Sequence, residues 1–168
     1  MIGGKWMTAC LVFVVSGIAF GEEEPGKEKI GLVSVTVYHA TNGDPKVAGE
    51  KAVEVPQETA KRLRKEEKLR FKTYRMLGQD TRPLFRSYEN WAEPLKPSNE
   101  IMVRFEAQGK PTKKSAVLDL ELWLGRNKTV KTDARIENDL PLFVLGPEWR
   151  GGRLIIAVAL VQEQKPAN

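Results

Sequence analysis

A chain of 168 residues with 41% hydrophobic and 29% charged side chains is long enough for one domain with a sizeable core, and its composition excludes a disordered or collagen-like chain. The formal charge is +5, and the single histidine leaves little charge to gain or lose near neutral pH. One cysteine, Cys10, excludes an internal disulfide framework and a multi-thiolate metal centre.

Met1 to Lys5 carries one basic side chain beside the α-amino group, and Trp6 to Phe20 (WMTACLVFVVSGIAF) is almost wholly apolar. Ala19-Phe20-Gly21 then sets small residues two apart, just before Glu22-Glu23-Glu24. A positive start, a short apolar core and a small-x-small exit describe a secretory signal peptide over residues 1–21, since a spanning helix needs about 20 apolar residues. Left uncleaved, the same segment would serve as an amino-terminal membrane anchor. Cleavage would remove Cys10 and also Lys5, the only charged side chain in the segment, so the mature chain would carry +4 and no thiol. The expected localisation is therefore exported, periplasmic or extracellular.

Residues 22–29 (EEEPGKEK) have charge, Pro and Gly but no apolar period, and read as a flexible leader. A single β-rich domain is expected over residues 30–163, with a tail at 164–168. In Ile30 to Thr41, Val33, Val35 and Val37 alternate with Ser34, Thr36 and Tyr38, as in a half-buried strand. Thr41-Asn42-Gly43-Asp44-Pro45 signals a turn, with Asn-Gly suited to positive φ. Val47 to Val55 follows as a shorter extended piece. Pro56 and Glu58 mark the start of one surface amphipathic helix, residues 57 to about 68, whose thin stripe is Ala60 and Leu63. Leu69 to Leu77 reads as a strand broken by Gly78-Gln79-Asp80, Leu84 to Tyr88 as another, and Glu89 to Ser98, with two prolines, as a loop.

The second half alternates more cleanly. Ile101, Val103 and Phe105 form one apolar row, and Leu118, Leu120, Leu122 and Leu124 another. Thr129 to Ile136 continues extended, and Glu137-Asn138-Asp139 turns into a closing hairpin around Gly146 to Gly152. Leu154 to Val161 (LIIAVALV) has no polar face, as a strand covered on both sides requires. Its row of Leu154, Ile156, Val158 and Leu160 is bulky, whereas Ala157 and Ala159 leave room for the helix to approach. The five runs from Ile101 onward suggest an antiparallel meander. The expected fold is mainly β (α+β), an antiparallel sandwich-like domain of about eight strands with one helix.

Chemistry is sparse. Asp119 and Glu121 stand two apart on one strand face, roughly 7 Å, a spacing that paired carboxylates use in glycoside cleavage. The same positions are the wet row of a half-buried strand, which needs polar residues anyway. His39 is the only histidine, no G-x-S-x-G elbow accompanies a serine, and Gly146, Gly151 and Gly152 lack the spacing of a phosphate loop. No catalytic residue, metal ligand or cofactor site is assigned. Asn127-Lys128-Thr129 fits a glycosylation acceptor.

Contact features are better represented. Lys61, Arg62, Arg64, Lys65, Lys68, Arg70, Lys72 and Arg75 crowd the helix and its successor, against Glu66 and Glu67. Such a cluster suits an acidic partner or an anionic lipid surface, or is a solvated face with Glu and Lys exchanging weak ion pairs. Export argues against nucleic acid. Trp91, Trp123 and Trp149 lie near turns, where they suit a polysaccharide or a protein partner, or else seal the core. The binding candidates are therefore Trp91, Trp123, Trp149, Arg62, Lys65, Lys68, Arg70 and Lys72. The pattern resembles small exported β modules of bacterial envelopes that help assemble larger machinery, a likeness of fold rather than of motif. The expected function is a non-catalytic binding or assembly module of the cell envelope acting through protein contacts. The alternatives are a carbohydrate-binding module and a glycosidase using Asp119 and Glu121.

Overall fold

The computed structural model describes residues 24–112, 114–138 and 140–161, so the segment 1–21 expected to be a signal peptide and the tail 164–168 lie outside the described residues. Nine strands form two antiparallel sheets: β1 Lys29–Thr41, β2 Val53–Glu54, β3 Thr73–Phe85, β4 Asn90–Ala92, β5 Ile101–Gln108, β6 Ser115–Leu124, β7 Asn127–Glu137, β8 Leu142–Trp149 and β9 Gly152–Val161. The five-stranded sheet runs β2-β3-β1-β9-β8 and the four-stranded sheet β4-β5-β6-β7. Among the described residues a single α-helix, α1 Gln57–Lys65, makes a third layer.

The two-sided apolar run of β9 accounts for the layering. Leu154, Ile156, Val158 and Leu160 are buried with Val33, Val35 and Val37 of β1 against Ile101, Val103 and Phe105 of β5 and the leucines of β6. Ile155 and Ala157 point the other way, into a second buried cluster with Tyr38, Ala40, Tyr74 and the helix residues Ala60 and Leu63. Ala157 thus lies under the helix as expected, while Ala159 is only half-buried and outside that cluster. β9 is flanked on both sides by strands, though β1 holds the middle position.

The strands from Ile101 onward do not form one meander. β5, β6 and β7 do, but β8 and β9 cross into the other sheet. A strand apolar on both rows needs cover on both faces, and only the sheet between helix and partner sheet supplies it.

Local differences from expectation have physical causes. The helix ends at Lys65 rather than near Lys68: Glu66 is extended, and a 3-10 turn, Glu67–Leu69, carries Leu69 down into the second cluster. The Tyr74 hydroxyl locks that descent, donating to the Leu69 carbonyl at 2.7 Å and accepting from the Phe71 N–H at 2.9 Å. Gly78 does not break β3, which runs on to Phe85. A Cβ on Gly78 would stand 1.9 Å from the Pro94 carbonyl oxygen, so the glycine serves a close backbone approach. The stretch 89–98 contains a short strand, β4, paired to β5. The closing hairpin turns only at Arg150-Gly151, with φ of 45° and 69°. Gly146 and Pro147 lie inside β8, at an irregularity in its pairing with β9. Asn42 and Gly43 turn without positive φ, the Thr41 hydroxyl accepting from the Gly43 N–H at 3.0 Å. The described part of the leader is tied to the end of β3, where Arg86 pairs with Glu28 at 2.7 Å and the Tyr88 hydroxyl donates to Glu24 at 2.9 Å.

Candidate binding surface

The outer face of the four-stranded sheet collects Trp91, Arg104, Glu121 and Lys131 in one cross-strand row, because β4, β5, β6 and β7 bring them into register. Arg104 sits among Glu89, Glu106 at 2.8 Å and Asp119 at 3.2 Å. Lys131 bridges Asp119 at 3.1 Å and Glu121 at 3.2 Å, and Lys128 reaches Glu121 at 3.1 Å. Glu121 is only 5% exposed. Burial alone raises its pKa, but hydrogen bonds from Lys128, the Trp123 indole N–H and Lys131 outweigh that and lower it to about 2. A carboxyl held so far down stays ionised and does not serve as a proton donor near neutral pH, which a glycosidase acid must do.

Trp91 and Trp123 come together on this face, ring centroids 5.8 Å apart and planes tilted by 55°. Their N–H groups are engaged by Glu89 at 3.3 Å and Glu121 at 2.9 Å. Trp149 stands apart, on the other sheet. Its ring is half-buried against the main core, its N–H donates to Glu100 at 2.9 Å, and the Arg150 guanidinium covers it at 4.2 Å. Beneath it, fully buried His39 donates Nε2–H to the Trp149 carbonyl at 3.1 Å, leaving Nδ1 without a partner. Burial depresses the His39 pKa and outweighs the opposing pull of the bond to the Trp149 carbonyl. The imidazole is an end-plug of the core, held neutral.

The cationic segment occupies the helix layer, on the far side of the molecule's middle sheet from that network. Lys61 pairs with Glu58 at 3.0 Å. Arg62 and Arg64 lie over the rings of Phe143 at 5.5 Å and Tyr74 at 5.4 Å, so their stems cover apolar surface while their charges remain. Arg64 and Arg70 also donate to backbone carbonyls, of Lys72 and Arg64, both at 3.1 Å. Among the described residues no carboxylate lies within ion-pair distance of Arg62, Lys65, Lys68, Arg70, Lys72 or Arg75. Glu58 and Lys61 form one weak exposed pair of the expected kind, while Glu66 and Glu67 make no ion pair with their neighbours.

Beside these cations lies an apolar groove that the sequence did not single out. Leu140, Pro141, Leu142, Phe143 and Leu145 line it together with Leu69, the cations Arg62, Lys65 and Lys68, and the carboxylates Glu66 and Glu67. Leu140 is 53% exposed. The groove runs along β8, one of the two edge strands of its sheet. The apolar run Leu140–Leu145 was visible in the sequence, but not that it borders the helix. Comparison with family models, curated proteins and solved structures finds no match to the chain. Among the described residues no three His, Cys, Asp or Glu side chains gather as a metal site would need, and no helix is long and apolar enough to cross a membrane.

Proposed function

We propose that the protein is a non-catalytic binding or assembly module of the cell envelope, exported by its amino-terminal segment, that holds an acidic protein partner on its helix layer. The observation that carries this reading is the contrast between two charged faces. On the four-stranded sheet, Arg104, Lys128 and Lys131 are satisfied by Glu89, Glu106, Asp119 and Glu121. On the helix layer Arg62, Lys65, Lys68, Arg70 and Lys72 stand without a carboxylate in ion-pair distance among the described residues. An unneutralised cluster steers and retains an anionic surface, whereas a mutually paired one offers little net field.

Crosslinking and mass spectrometry on the tagged protein in its native envelope test this. The expected result is crosslinks from Lys61, Lys65, Lys68 and Lys72 to acidic stretches of a defined partner, with the chain beginning near Glu22. Recovery without any such crosslink, or with glycan alone, would remove it. The juxtaposition of Trp91 and Trp123 supports a second reading, a polysaccharide-binding face. There, soluble glycan should shift tryptophan fluorescence, and Trp91→Ala should abolish the shift.

A further inference from the structure

Edge strands are normally blunted by charge, proline or irregularity, because their unpaired N–H and C=O groups template another strand. Among the described residues the far edge of β8 has no hydrogen-bonded neighbour, and from Leu142 to Gly146 (LFVLG) the strand carries no charged side chain. The pairing irregularity around Gly146 and Pro147 comes only after Leu145, leaving Leu142 to Leu145 regular and open. Its side chains split between the two cores. Leu142 and Val144 pack on the inter-sheet cluster, Phe143 and Leu145 on the helix cluster, and all four remain half-buried. One further strand alongside would complete the cover of both rows. On the helix side, that strand would meet Arg62, Lys65 and Lys68, which line the same groove with Glu66 and Glu67 and leave it an excess of positive charge.

Resting on the reading above, we propose that this groove binds an extended segment of the partner protein that adds to β8 as a sixth strand. Period two dictates its chemistry. Side chains on the helix row face Arg62, Lys65 and Lys68 and are acidic. Those on the other row continue the line of Leu142 and Val144 and are apolar. The occupant is thus an alternating acidic–apolar stretch of roughly four to six residues, matched to the open length of β8. A concave groove along a strand edge suits such a chain, whereas a bilayer surface calls for apolar side chains that protrude.

The test uses a synthetic decapeptide of alternating Glu and Val against the intact mature protein. Binding should be saturable and should slow amide hydrogen exchange in Leu142–Leu145. Affinity should fall at least tenfold in the Arg62→Glu/Lys65→Glu/Lys68→Glu variant, whose folding is checked by its thermal transition. It should fall as far when alternate peptide amides are N-methylated, since that removes backbone pairing and keeps the side chains. Equal binding of a Lys–Val peptide, protection that spares β8, or insensitivity to N-methylation would overturn the proposal. So would binding to phosphatidylglycerol vesicles in place of the peptide. Crosslinks from the cationic face to an acidic partner, with no protection of β8, would overturn the groove alone. Absence of those crosslinks would overturn the broader reading instead.

Discussion

At the scale of single residues, burial forces each polar side chain to be either paired or neutral. Glu121 takes the first course. Its pKa of about 2, against an ordinary 4.5, means that its ionised form belongs to the folded state. Its contribution to stability is whole above the unfolded value and is lost as pH falls from about 4.5 toward 2. Glu121→Gln should cost about 2 kcal/mol in urea denaturation at pH 7, because Lys128 loses its anionic partner and Lys131 one of its two, and should flatten the acid limb of the stability profile. His39 takes the second course. Its pKa is depressed by burial, so stability is full above the ordinary histidine range and declines as pH drops below about 6.5. Trp149, whose carbonyl His39 holds, is the natural reporter. Its fluorescence should change through that same acid window, and His39→Gln should abolish the change.

At the scale of elements, two positions decide how layers meet. Leu63 is the fully buried anchor of a nine-residue helix whose other buried side chain is Ala60. Leu63→Ala should therefore cost about 3 kcal/mol, the usual range for a buried leucine. It should also raise proteolytic cleavage within residues 57–69 before global unfolding. Gly78→Ala sets a Cβ 1.9 Å from a backbone oxygen that cannot swing aside, and should destabilise by about 3 kcal/mol or more, measured by thermal melting. The sequence made the alternation of β1, β5 and β6 and the two-sided run of β9 visible, because period two is a local property of the strand. The same periodicity could not show that Gly78 answers to Pro94, sixteen residues on. Nor could it find β4, whose three residues are strand only because β5 lies beside them.

At the scale of the whole molecule, the arrangement segregates charge. One outer face consumes its cations internally and the other presents them. Binding through the presented face should weaken steeply between 50 and 300 mM salt, about the range over which exposed attraction is screened, while thermal stability changes little. The cationic cluster was legible as a run of Lys and Arg, and so were the three tryptophans. Long-range register decided the rest. It set Trp91 beside Trp123, sent Trp149 to the other sheet, and laid the open edge of β8 under the cations of α1. The most direct test places a photo-crosslinking residue at Lys65, and separately at Asp133 on the opposite sheet, in cells carrying the full chain. Salt-sensitive capture of one acidic protein from position 65 and none from 133 is the predicted result. Capture of the same protein from position 133 alone, or equally from both, would contradict the helix layer as the binding face.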